Sequence, residues 1–172
     1  AQGLLLQYRT AVNRYTARQF LGVASLYLPA LAGSHSLVLT AAYHERDTLA
    51  QYLFSNDFPF ARGYREVDFP RMWKLGVNYH FPLAYPDWGV GQFVYLLRVR
   101  ANLFYDHSIG KSLRTGVSYP FHTVGAELYL DTRWWNQHPV TFGFRYSRLL
   151  NKELRGVTRP DIWELILPVN LF

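Results

Sequence analysis

Between Tyr95 and Tyr105 the side chains sort by parity. Tyr95, Leu97, Val99, Ala101, Leu103 and Tyr105 share one face of an extended strand, and Arg98, Arg100, Asn102 and Asp106 share the other, because successive strand residues point to opposite sides. A soluble antiparallel sheet also alternates, with its apolar face buried and its polar face wet. Here the apolar face begins and ends in aromatics, and the polar face is densely charged. That pattern suits a strand with lipid on one side and a polar barrel interior on the other.

Composition agrees. The chain has 172 residues, of which 49% are hydrophobic and 17% aromatic. Aromatic girdles at membrane interfaces account for such an excess. No apolar run approaches the roughly 18 residues of a transmembrane helix. Leu4-Leu5-Leu6 is too short for a signal-peptide core, so Ala1-Gln2 reads as a processed end or a cut inside a longer chain. Cysteine is absent, which fits an exported protein that does not rely on disulfides. Net charge is +6, but Lys and Arg are scattered among aromatics without a basic run, so nucleic acid is not expected as a partner.

Alternation bounded by turn residues predicts about eight strands: Leu4–Asn13, Arg18–Pro29, His35–Arg46, Arg71–Pro82, Phe93–Asp106, His122–Trp135, Val140–Leu149 and Ile162–Phe172. Each is near the roughly ten residues that a tilted membrane strand needs. The connections Ala30–Ser34, Leu83–Gln92 and Asn136–Pro139 are short; Asp47–Pro70, His107–Phe121 and Asn151–Asp161 are long. Bacterial barrels have short periplasmic turns and longer outer loops. With a periplasmic C-terminus, all three long connections fall outside, and Asn13–Ala17 becomes a short outer turn. The expected fold is one all-β domain over residues 1–172, a transmembrane antiparallel up-and-down barrel of about eight strands or the C-terminal part of a larger one. Its long outer loop is 47–70.

On the apolar parity, Tyr43, Trp73, Tyr105, Tyr146 and Trp163 fall at outer ends, and Tyr79, Phe81, Tyr95 and Trp134 at periplasmic ends. These are the expected membrane girdle. The inward parity carries Arg9, His44, Lys74, His80, Arg98, Arg100, Asp106, Glu127, Tyr129, Asp131, Arg133, Arg145 and Glu164. A barrel this small has room only for side chains, so these charges must pair. Arg98, Arg100 and Arg145 facing Glu127, Asp131 and Glu164 make one such network. Inward Gly76, Gly125 and Gly143 relieve crowding or allow the wall to bend.

No catalytic, cofactor or metal site is expected. Asp106-His107-Ser108 is the nearest thing to a triad, but sequence neighbours rarely converge in space. His122 and Ser118 lie near the outer interface, the position that a lipid acyl hydrolase or transferase would need for such a pair. The six His show no metal-ligand spacing. In loop 47–70, Leu49, Tyr52, Leu53, Phe54, Phe58, Phe60 and Tyr64 are too apolar for plain solvent. Two readings stand: a cap folded over or into the barrel mouth, or a docking surface for a partner through Phe54, Phe58, Phe60 and Tyr64.

The segment Trp163-Glu164-Leu165-Ile166-Leu167-Pro168-Val169-Asn170-Leu171-Phe172 resembles the C-terminal strand of outer-membrane barrels, which ends in an aromatic residue read by the barrel-assembly machinery. Trp163, Leu165, Leu167, Val169 and Leu171 hold one parity and Phe172 falls on the other, so either Pro168 marks a register-resetting bulge or the signal is atypical. The runs 124–132, 135–140 and 144–150 are similar to the terminal barrel of Bacteroidota outer-membrane proteins in which a TolB-like propeller precedes the barrel. That resemblance implies a longer polypeptide and extra upstream strands, and it carries over no catalytic residue.

The expected function is non-enzymatic: an anchor or scaffold in the Gram-negative outer membrane. Its expected contacts are outer-membrane lipids and lipopolysaccharide, the assembly machinery during biogenesis, and a protein partner. The alternatives are a small-solute transporter or anion-preferring channel, which needs a wider barrel, and a lipid-modifying enzyme.

Overall fold

The structure, a computed structural model, describes residues 2–10, 17–30, 33–47, 55–65, 67–91, 93–112, 115–135, 137–151 and 159–167. It is all-β. Nine strands form one antiparallel sheet: β1 (Gln2–Thr10), β2 (Arg18–Pro29), β3 (Ser36–Arg46), β4 (Arg71–Ala84), β5 (Trp88–Val90), β6 (Val94–Lys111), β7 (Ser118–Trp134), β8 (His138–Leu149) and β9 (Asp161–Ile166). Neighbours in sequence are neighbours in space, with order β1-β2-β3-β4-β6-β7-β8-β9 and short β5 paired to β6. Every connection on this path is therefore a hairpin or a direct return, the cheapest way to pair antiparallel strands.

The sheet is not closed. β1 and β9 are its two edges, and among the described residues they do not pair with each other. The closed barrel expected from alternation is thus replaced by an open up-and-down sheet.

Several boundaries shift. β6 runs five residues past Asp106 to Lys111, and β7 starts four residues before His122 at Ser118. The expected long loop 107–121 is therefore mostly ladder, with Asp106↔Thr123 continuing to Lys111↔Ser118. Residues 83–92, read as a plain linker, contain β5. Residues 168–172 and 11–13, assigned to the last and first strands, lie outside the described residues, as does most of 151–161.

The strand that opened the sequence argument is interrupted. Leu96 pairs with Thr132 and Arg98 with Asp131, leaving Leu97 as a bulge. An extra residue resets parity. Tyr95 consequently opposes Arg133 and leaves the girdle side. The sequence hides this bulge because residues on both sides of it are apolar.

Residues 55–65 of the β3–β4 connection lie against one face of the sheet, the inner face. Phe58 joins Leu21, Ala42 and Met72 in a buried cluster, with Val23, Phe60 and Phe69 packed on it. Phe60 and Tyr64 meet Phe121 edge-on at centroid distances of 4.8 and 5.2 Å. This is the main apolar core, and it lies between loop and sheet. The glycines on this face make room for rings. A Cβ on Gly125 would lie 2.6 Å from the Phe104 ring, and one on Gly143 would lie 2.9 Å from the Tyr129 ring. A Cβ on Gly76 would come within 3.0 Å of the Asp106 carboxylate.

The other, outer face has no such cover. Leu75, Val77, Leu103, Tyr105, Val124, Leu128, Phe144 and Leu165 are all exposed there. Its charged residues gather along one line. The row Glu45↔Arg71↔Lys111↔Ser118 marks the upper end of β3 to β7. On β6 and β7, outward His107 and His122 lie four residues below it. On β8 and β9, outward Arg148 and Asp161 lie in the row of Val124, six residues below Ser118. From Glu45 on β3 to Asp161 on β9, a descent of six residues at about 3.4 Å across five strand spacings of about 4.8 Å inclines the strands by about 40° to that line's normal.

Candidate functional site

An arginine that no strand carries occupies the middle of the inner face. The run Phe58-Pro59-Phe60-Ala61 buries Phe58 and Ala61, and the chain then turns at Arg62 and Gly63, whose φ is +82°. This drives Arg62 toward the sheet. Its Nε and Nη2 donate to Asp106 Oδ2 and Oδ1 at 2.8 and 3.0 Å, and its backbone N–H donates to Oδ2 at 3.1 Å. Nη1 donates to Glu127 Oε1 at 3.2 Å and Nη2 to Asn78 Oδ1 at 2.7 Å. The guanidinium lies 3.6 Å from the Phe104 ring centroid, a cation–π contact. One side chain thus ties β4, β6 and β7 together.

Around it the charges balance. Lys74 Nζ is 3.3 Å from Asp106 and donates to Phe60 O at 3.0 Å. Arg145 donates to Glu127 at 2.6 Å and to Glu164 at 3.2 Å. Asn102 and Tyr129 donate to the second oxygen of Glu127 at 2.8 and 2.9 Å. Arg62, Lys74 and Arg145 meet Asp106, Glu127 and Glu164, three cations against three carboxylates. Asp106 is wholly buried and Glu127 nearly so. Buried charges persist only when paired and hydrogen-bonded in this way.

A second cluster sits at the other end of the inner face, near the β4–β6 turns. Arg98 and Arg100 both donate from Nε to Asp131 Oδ2 at 2.8 Å, and Arg100 Nη2 reaches Oδ1 at 3.1 Å. Thr141 donates to the same carboxylate at 3.0 Å. Beside them is a pocket of about 320 Å³ between β2, β3, β4 and β6.

At the β1 edge, Arg9 donates to Asp57 at 2.5 Å and to Ser55 Oγ at 2.7 Å, holding the start of the loop. At its far end, Tyr64 donates to the carbonyls of His122 and Asn151 at 3.0 and 3.3 Å. Burial raises the Tyr64 hydroxyl above its ordinary value of 10.0. The loop is therefore fastened at both ends and in the middle.

Of the residues expected to line a lumen, Lys74, Arg98, Arg100, Asp106, Glu127, Asp131, Arg145 and Glu164 form ion pairs on the inner face, and Arg9 pairs with Asp57 of the loop. Arg133 shares their parity at the exposed end of β7. The proposed facing of Arg145 with Glu127 and Glu164, and of Arg98 and Arg100 with Asp131, matches the ion pairs. The partner-docking reading of the loop fails for Phe58, which is 3% exposed, and Phe60 and Tyr64 face Phe121. Phe54 lies outside the described residues. Arg62 escaped the sequence reading because it belongs to no alternating strand; the signal was the apolar run just before it.

Girdle residues Tyr43, Trp73, Tyr79, Tyr105, Trp134, Tyr146 and Trp163 sit on the outer face, and Tyr95 does not. Of the assembly signal, Trp163 and Leu165 are exposed on the outer face and Leu167 is exposed; Val169, Leu171 and Phe172 lie outside the described residues. Neither hydrolytic constellation is assembled. Asp106 and Ser108 point inward while His107 points outward, where its Nδ1 is 3.0 Å from His122 Nδ1. Ser118 is four residues from His122 along β7, about 13 Å at the strand rise. Among the described residues no group of three or more His, Asp or Glu could hold a metal.

Comparison with known proteins gave no match to a protein family, to a curated protein or to a solved structure.

Proposed function

We propose that this chain is an integral outer-membrane β-barrel whose interior is filled by its own β3–β4 loop, and that it serves as a non-conducting anchor or scaffold. The observation that carries the reading is the outer face. It exposes large apolar residues along every long strand and confines its charged side chains to one oblique line. In water such a face is a liability, since contiguous exposed apolar patches normally stay within a few hundred Å². Against hydrocarbon it is the required surface, because a charge at mid-membrane costs roughly 2–4 kcal/mol. The inclination of about 40° falls within the roughly 35–45° strand tilt of barrels.

An open edge cannot stay unpaired in lipid, where each unsatisfied backbone group costs several kcal/mol. Closure comes from β1 meeting β9, which run antiparallel, or from further strands between them. The resemblance to Bacteroidota barrels favours the second route. The line of charged residues then marks the outer leaflet, with the β4–β6 turns and the C-terminus toward the periplasm. Lipid and lipopolysaccharide contact the outer face.

The position of the loop supports the non-conducting reading over the channel alternative. Arg62 and the aromatic residues around it fill the inner face where a solute path would run. The test is purification in nonionic detergent, followed by heat-modifiable gel migration, circular dichroism and planar-bilayer recording. A β-rich, heat-modifiable species without conductance steps is expected. A chain that is soluble and monomeric without detergent would refute the membrane reading, and steady single-channel steps would refute the plug.

A further inference from the structure

The cluster at the turn end of the inner face is not balanced like the central one. Two guanidiniums, those of Arg98 and Arg100, share the single carboxylate of Asp131. Among the described residues lining the adjacent pocket there is no acid. The pocket therefore carries one cation in excess. Both arginines keep part of their surface open, with side-chain exposures of 45% and 36%.

We infer that this pocket binds a small amphipathic anion, an apolar body carrying one carboxylate or phosphoryl group. Each guanidinium has five N–H donors, and Asp131 takes only part of them. The donors left over face an oxyanion in the forked geometry that suits planar recognition. Ser34, Ser36 and His80 add neutral polar groups at the wall. Val38, Pro82 and the rings of Tyr27 and Tyr85 supply the apolar side. The volume of about 320 Å³ lies at the small end of ordinary ligand sites, which fits a body of one aromatic ring with a short chain. The Arg62 network offers no such opening, since its carboxylates and cations match and the loop covers it. The pocket stands on the inner face itself and does not depend on the sheet lying in a bilayer.

Calorimetric titration of the full chain in nonionic detergent with 4-phenylbutyrate, phenyl phosphate and neutral 4-phenylbutanol tests this. Saturable 1:1 binding of at least one anion is expected, with the alcohol weaker by about tenfold or more, the scale of one charge-assisted hydrogen bond. Preference between the two anions assigns the head group. Arg98→Gln and Arg100→Gln should each weaken binding about tenfold, and the double variant should abolish it. No saturable binding to the parent chain, equal binding of the alcohol, or unchanged binding in the double variant overturns the inference. If the double variant loses its heat-modifiable fold, Ser36→Asp decides. It keeps both arginines but puts a negative charge in the pocket, so it should abolish anion binding, and retained affinity overturns the site.

Discussion

Arg62 grips Asp106 three times, twice through its guanidinium and once through its own backbone N–H. A loop residue and a strand residue 44 positions apart are thereby fixed in one orientation. Asp106 is fully buried, so this grip and the nearby ammonium of Lys74 supply its compensating positive charge.

Removing Arg62 leaves that carboxylate short of its partner. Arg62→Ala should cost about 3–5 kcal/mol of unfolding free energy, the range for breaking one side of a buried pair. Urea titration read by heat-modifiable mobility measures it. A loss below about 1 kcal/mol would show that the loop contributes little to holding the interior.

Leu103 is half exposed on the outer face of β6, between Val77 and Val124 in the neighbouring rows. Leu103→Arg should destabilise the folded state in lipid vesicles by about 2–4 kcal/mol. On a water-exposed surface the same change would fall within about 0.5 kcal/mol. The size of the effect in vesicles therefore discriminates between lipid and water at this position.

Gly125 faces the Phe104 ring, and a side chain there would also run into the backbone carbonyl of Tyr146 on β8. Gly125→Ala should cost about 1–3 kcal/mol, as overpacking does. Pairing it with Phe104→Leu should not restore stability, because the carbonyl contact remains. Full rescue by Phe104→Leu would locate the crowding in the ring alone.

Tyr64 titrates above 10.0 because the loop buries it. A group whose folded value is raised contributes stability that is complete below the unfolded value and lost as pH rises through the folded one. Unfolding free energy should therefore decline above about pH 10. Tyr64→Phe should flatten part of that decline. Identical alkaline profiles for the two chains would place the titration elsewhere.

Much of this architecture was legible in the sequence, for reasons that differ by element. β2 and β8 alternate cleanly between turn residues, so their ends were found to within two residues. The ion pairs of Arg145 and of Arg98 and Arg100 followed from parity alone, since a crowded inner face leaves charges few other partners. Arg62 did not follow, because the position of an irregular loop depends on packing among Phe58, Phe60, Phe121 and Met72, which are distant in sequence. The bulge at Leu97 was invisible for a related reason: with apolar residues on both parities, nothing marks the slip. The open edges were likewise outside the reach of alternation, which describes each strand and not how the first meets the last.

The β6–β7 hairpin is longer than a bilayer is thick. With 18 residues in β6 at about 3.3 Å each and an inclination near 40°, its height is about 45 Å, against an apolar band of about 25 Å. In the proposed orientation the surplus lies on the outer side, with Lys111, Ser112 and Ser118 at its tip. In that orientation the tip is the part of β6 and β7 that meets what approaches from outside the membrane.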